Sequence, residues 1–178
     1  RAFIGRGEVR RYGIEADVSA AVSLAPAQVA LVFDTTSSMG IIIGDMKARA
    51  AEIVERVKTR LPNAEFMVAG FSDYPGIYTG ADDGAPWKVY TGFSGDPSAV
   101  GEALARIRLS NGGDIDEAYS RALFEATRLP WRENGYRLVV LFGDSIAHKV
   151  DPGPDALLGT ADDLDWNTVV AGMAAGFR

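Results

Sequence analysis

Gln28-Val29-Ala30-Leu31-Val32-Phe33-Asp34-Thr35-Thr36-Ser37-Ser38-Met39-Gly40 joins an apolar run to a loop of one acid and consecutive hydroxyls. A short run without alternation suits a strand covered on both faces, as in a parallel sheet. Met46, Ala50, Ile53, Val54, Val57 and Leu61 then recur at helical spacing, with charged residues between them, until Pro62 stops the helix. Glu65 to Phe71 reads as a second buried strand and Trp87 to Phe93 as a third. Asp96-Pro97 caps and starts a helix carrying Val100, Leu104 and Ile107. Asn111-Gly112-Gly113 breaks the chain before a helix with Ala118, Ala122, Leu123 and Ala126. Tyr136 to Phe142 is a fourth strand ending in Gly143-Asp144. A last helix is expected to bury Trp166, Val169, Val170, Met173 and Phe177. Strands alternating with helices predict an α/β fold: a doubly wound, mostly parallel central sheet flanked by helices on both faces.

The 178 residues fit one domain. Residues 27–178 are assigned to it, and 1–26 to an N-terminal extension. There Val9, Tyr12, Ile14, Ala16, Val18, Ala20 and Val22 alternate loosely, as in a strand with one buried face. The chain opens at Arg1 and not Met, which suggests a processed or excised segment. No cysteine and one histidine exclude disulfides, zinc ribbons and multi-histidine metal sites. Oxygen ligands are plentiful, with 24 Asp and Glu, so Mg²⁺, Ca²⁺ or Mn²⁺ suits the chain best. A net charge of −6 argues against nucleic acid as a partner. No apolar run approaches the roughly 20 residues that span a bilayer, which argues against direct membrane insertion.

Ligands of open α/β sheets bind beyond the carboxyl ends of the strands. The loops expected there deliver Asp34-Thr35-Thr36-Ser37-Ser38, Ser72-Asp73, Asp114 with Asp116 and Glu117, and Gly143-Asp144-Ser145. Asp34, Thr36 and Ser38 alternate, so an extended turn points all three to one side. Their hard oxygens suit an octahedral cation held partly through water. Asp114 and Asp144 would complete the pocket, with one position left for an outside ligand. The competing reading is local: Thr36 and Ser38 cap the next helix, while Asp34 accepts backbone hydrogen bonds.

Taken together, DTTSSMG after a buried strand, then NGGDIDEA, then VVLFGDS resembles the von Willebrand factor A domain and its metal-ion-dependent adhesion site. The resemblance runs from about Ala27 to the C-terminus. It implies a doubly wound fold, a divalent cation and a partner carboxylate in the open coordination position. Asp34, Thr36 and Ser38 match the family's Asp-x-Ser/Thr-x-Ser pattern, and Asp144 matches its last aspartate. Where many integrin-type A domains have threonine, this chain has Asp114. That loop resembles the acidic version of integrin β subunits, in which a glutamate in the place of Glu117 joins the shell, so Asp114 ranks first and Glu117 second. The family normally continues past the helix ending near Phe177 into at least one more strand. Either the segment is truncated there, or the edge beside Leu138–Phe142 is completed by the N-terminal stretch or another chain.

Further candidates lie around this centre. The Ser72–Gly84 loop, read as solvent-exposed, offers Asp73, Tyr74 and Tyr78 as a partner-selecting rim, with His148 beside them. Asp151, Asp155, Asp162 and Asp163 suggest a second cation site, against the reading that they cap the last helix in a solvated insertion. Phe142-Gly143-Asp144-Ser145 is similar to the Gly-Asp-Ser block of lipase-like hydrolases, but no Asp-x-x-His follows it and no histidine lies beyond His148. The chain therefore reads as a binding domain and not an enzyme. It would take a Mg²⁺, Ca²⁺ or Mn²⁺ ion and a protein ligand presenting a carboxylate. The alternative is a structural subunit of a surface assembly, with the metal as a fold staple. By family habit a secreted or cell-surface bacterial setting is preferred, with the cytoplasm left open.

Overall fold

The computed structural model describes residues 26–78 and 84–176. β1 spans Ala27–Asp34, and every residue in it is buried. A 3-10 turn, Ser37–Ile41, leads into α1, Ile43–Arg60. β2 is Glu65–Phe71, β3 is Lys88–Ser94 and α2 is Pro97–Arg106. A two-residue strand, β4 (Asp116–Glu117), precedes α3, Tyr119–Thr127. β5 covers Tyr136–Phe142, followed by the short strands β6 (Ile146–Ala147), β7 (Val150–Asp151) and β8 (Leu164–Asp165). α4, Trp166–Gly176, ends the described chain. The loosely alternating stretch Val9–Val22 and Phe177 lie outside the described residues.

The main sheet has the order β3-β2-β1-β5. β1 is parallel to both neighbours, while β3 returns antiparallel to β2. Val29, Leu31 and Phe33 pack on one face against Ala50 and Val54 of α1 and Val100, Ala103 and Leu104 of α2. Ala30 and Val32 face the other way, toward Tyr119 and Ala122 of α3. Helices thus cover both faces, which is why β1 carries no polar alternation. Phe33 also stacks on Phe142 with ring centroids 4.5 Å apart. Truncating such a buried ring to alanine costs about 3–5 kcal/mol.

The start of α2 follows its sequence closely: the Asp96 carboxylate accepts from the Ser98 amide at 2.9 Å, with Pro97 in the first turn. α4 corrects one expectation. Val169 is buried with Leu123 and Leu164, but Val170 is 39% exposed. The helix packs on α3 along one stripe, and the two valines, being adjacent, cannot share that stripe. β5 is the last strand of the sheet order, and among the described residues no strand pairs with its outer side.

Candidate metal centre

β1 carries Asp34 to the carboxyl edge of the sheet, where its side chain is fully buried. Asp34 Oδ1 accepts from the Thr36 amide at 2.9 Å and from Thr36 Oγ1 at 2.7 Å. Thr36 Oγ1 lies 3.1 Å from Ser38 Oγ, and Ser38 Oγ donates to Asp144 Oδ1 at 2.9 Å. Four of the residues singled out in the sequence, from two loops, therefore form one continuous line. The line runs from buried Asp34 and Thr36 to exposed Ser38 and Asp144, so it opens toward solvent. Thr36 heads the 3-10 turn without making a side-chain cap bond, and α1 has only Ile42 at its cap position. The hydroxyls are thus directed at carboxylates and not at helix amides. The part of the local reading that does hold is the Thr36 amide bond to Asp34.

Asp34 Oδ2 accepts from the Tyr119 hydroxyl at 3.2 Å, and that hydroxyl in turn accepts from the Ser145 amide at 3.2 Å. Gly143 makes the approach feasible: a Cβ there would lie 2.0 Å from the Tyr119 hydroxyl oxygen. Burial raises the pKa of Asp34; hydrogen bonds from Thr36 and Tyr119 oppose the rise, and the nearby Asp144 charge adds to it.

The loop carrying the other two candidates reaches the site because the Ser110 amide bonds the Thr35 carbonyl at 2.8 Å. β4 then pairs with β6 in a two-residue parallel ladder. Its effect is to set Glu117 inside and leave Asp114 outside. Glu117 is buried, and its Oε2 has no hydrogen-bond partner. Burial first, and then the charges of Asp34 and Asp73, push its pKa up to about 8, against a hydrogen bond with Thr36. Asp114 is exposed, and its pKa is raised by burial of its carboxylate, with His148 opposing and Asp73 and Asp116 adding. The sequence ranks Asp114 ahead of Glu117; in the structure Glu117 is the acid that reaches the Asp34–Thr36 pair.

The Ser72–Gly84 loop requires a correction. Ser72, Asp73 and Tyr74 are buried, so Asp73 and Tyr74 do not form an exposed rim. Asp73 Oδ2 accepts from the Gly113 amide at 3.0 Å, and Oδ1 accepts from the Tyr74 amide at 3.2 Å and meets His148 Nε2 at 2.9 Å. His148 is buried too, stacked on Tyr78 at 3.8 Å, and its amide donates to the Glu117 carbonyl at 3.2 Å. Tyr78 is only partly buried, and its hydroxyl donates to the Val150 carbonyl at 3.2 Å. Burial opposes charge on His148, but the Asp73 hydrogen bond and charge, with Asp151 and Asp114 behind them, raise its pKa above the ordinary value. Asp73 and His148 stand 75 residues apart, a pairing that no local pattern reveals. The one signal was a lone histidine just beyond the Gly-Asp-Ser turn. His148 does not pair with Ser145, whose hydroxyl donates to the Ile115 carbonyl.

The four aspartates of the suggested second cation site do not converge either. Among the described residues, the acidic and histidine side chains that bring three ligand atoms within 4.8 Å of one another are Asp73, Asp114 and His148. Asp151 is buried, and its Oδ2 accepts from the Arg121 amide at 3.0 Å. Burial raises its pKa to about 6. Asp155, Asp162 and Asp163 accept from the amides of Leu157, Asp155 and Gly159, so they organise their own loop. Asp165 caps α4 through the Thr168 amide at 3.0 Å.

No protein-family model and no curated protein sequence matches the chain. Solved structures do. The vWF domain of the type V pili tip protein Mfa5 from Porphyromonas gingivalis aligns with a TM-score of 0.56 at 14% identity, over 75% of this chain and 43% of that one. The chain has a von Willebrand factor A-type fold. The pilus adhesin SpaC from Lactobacillus rhamnosus GG, in its open conformation, aligns at a TM-score of 0.55 and 16% identity, over 73% of this chain and 16% of that one. The chain thus spans less than half the length of these two structures, and at such identities the likeness is one of fold.

The divalent cation that the fold implies can be tested against the residues present. They fit it: the donors are hard carboxylate and hydroxyl oxygens, and the buried Oε2 of Glu117 has no protein partner. Among the described residues no helix is long and apolar enough to cross a membrane.

Proposed function

We propose that this A-type domain binds a protein partner through a divalent cation, Mg²⁺ in the first instance and Ca²⁺ or Mn²⁺ by the same chemistry. Asp34, Thr36, Ser38, Glu117 and Asp144 would hold the ion. When bound, it supplies a positive centre that draws a carboxylate from the partner. The protein's own contribution is positioning. Tyr119 and the Thr36 amide fix Asp34, and Ser38 ties the first loop to Asp144. The observation that carries this reading is the hydrogen-bonded line from Asp34 to Asp144, formed by hydroxyls that cap no helix.

Adhesion or assembly at a bacterial surface, in a secreted or surface-held protein, is the setting we propose, supported by fold likeness to pilus proteins. Three acids around one site favour tight cation binding but weaken the pull on an acidic partner. The direct test is binding of the domain to an array of Asp- and Glu-bearing peptides, in Mg²⁺ and again in EDTA. Binding that needs Mg²⁺ and is lost in Asp34→Ala supports the proposal. Peptide binding unchanged by EDTA would sink it. A melting temperature that falls in EDTA while peptide binding persists would instead favour the structural-subunit reading.

A further inference from the structure

We propose that Asp73, Asp114 and His148 form a second cation site, separate from the oxygen-only centre and suited to a transition metal such as Zn²⁺. His148 Nε2 lies 2.9 Å from Asp73 Oδ1 and 3.9 Å from Asp114 Oδ1. Zinc bonds of about 2.0–2.2 Å at tetrahedral angles separate neighbouring ligand atoms by about 3.3 Å, and the two observed spans bracket that value. An imidazole among the ligands shifts preference away from Mg²⁺ and Ca²⁺ toward zinc-like ions.

The surroundings hold two of the three ligands in place. Tyr78 stacks on the imidazole, and the Gly113 amide occupies the far oxygen of Asp73, so Oδ1 is the atom presented to His148. Asp114, about half exposed, leaves one side open for ion entry and for water. A second feature points the same way. Asp151 is fully buried, its Oδ1 has no hydrogen-bond partner, and its charge acts on both His148 and Asp73. The competing account is a buried Asp73–His148 ion pair that merely locks the loop. It explains the 2.9 Å contact but gives no part to Asp114, whose Oδ1 stands 3.9 Å from the same imidazole nitrogen. A dipositive ion would take all three ligand atoms into one shell.

His148 is the chain's single histidine, which makes the test clean. Tag-free, EDTA-treated domain is titrated with Zn²⁺ in saturating Mg²⁺, by calorimetry and by the imidazole ¹⁵N resonances. One equivalent of Zn²⁺ should bind and shift those resonances. His148→Gln and Asp114→Asn should each weaken Zn²⁺ at least tenfold while changing Mg²⁺ affinity far less, and Asp34→Ala should do the reverse. Should His148→Gln fail to fold, the exposed Asp114→Asn variant and the wild-type resonances still decide. Imidazole resonances that ignore Zn²⁺, or Zn²⁺ binding lost in Asp34→Ala and kept in His148→Gln and Asp114→Asn, would overturn the second site. Because the oxygen-only centre is read through Mg²⁺ and Asp34, its failure is seen separately.

Discussion

Asp34 and Asp162 make nearly the same bonds and end in opposite states. Each accepts from a threonine hydroxyl two residues away at 2.7 Å, and each accepts a backbone amide, Thr36 to Asp34 at 2.9 Å and Asp155 to Asp162 at 3.0 Å. In Asp162 the Thr160 and Asp155 bonds lower the pKa, because the carboxylate remains in water. In Asp34 burial outweighs the equivalent bonds and the pKa rises. Carboxylates held by local bonds in solvent are satisfied, whereas the same group at the end of a buried strand retains an unmet need for positive charge. One is a loop that folds itself; the other is a buried edge that, on the proposed function, would take an ion.

The strongest way to break this contrast is a pair of alanine variants titrated with Mg²⁺. Asp34→Ala should lower Mg²⁺ affinity by at least ~100-fold, about 2.7 kcal/mol, with the circular dichroism spectrum retained. Asp162→Ala should leave Mg²⁺ affinity within about twofold, since a solvated loop acid 128 residues further along contributes no ligand. Equal losses in the two would erase the distinction. Next in size is Glu117→Gln. Removing an ionisable ligand while keeping the shape should weaken Mg²⁺ about tenfold and raise the melting temperature of the metal-free protein near neutral pH, because a buried acid with pKa about 8 no longer has to take up a proton on folding.

The pH dependence sharpens the same point. Glu117 and Asp151 have folded-state values of about 8 and about 6, above their ordinary carboxylate values, and His148 is raised as well. Groups raised on folding contribute stability below their unfolded pKa and lose it as pH rises through the folded one. In EDTA the melting temperature should therefore fall between pH 5 and pH 8.5, and added Mg²⁺ should recover most at the alkaline end. Each proton involved tilts stability by at most about 1.4 kcal/mol per pH unit. A metal-free melting temperature that climbs over this range would contradict the assignments. The smallest effect belongs to the loop: Asp162→Ala should lower the melting temperature slightly by freeing the Asp155 amide and Thr160, with no response to Mg²⁺.

Local patterns made several of these features readable. The unalternating Val29–Phe33 run announces a strand covered on both faces, and Asp96-Pro97 announces the cap of α2, because both act within a few residues. Asp34, Thr36 and Ser38 are legible for the same reason, and Asp144 because it stands just past the end of a strand, after Gly143. What the sequence hid depends on long-range pairing. The β4–β6 ladder decides that Glu117 and not Asp114 turns inward, and two residues are too short to leave a periodicity. Ser72-Asp73-Tyr74 has the composition of a solvated turn, yet Asp73 is buried because Gly113 and His148, both distant in sequence, close over it.

The bond from Ser38 to Asp144 spans 106 residues. An ion held on both sides of that contact, as proposed, would act as a reversible cross-link around most of the described chain, and its grip would need the loops after β1 and β5 to be in place together. The entropy of closing so long a loop grows only as the logarithm of its length, while ligation deepens the folded state with ligand concentration. On the proposed function, cation concentration would thereby become a dial on how firmly the closed chain resists opening under heat or load.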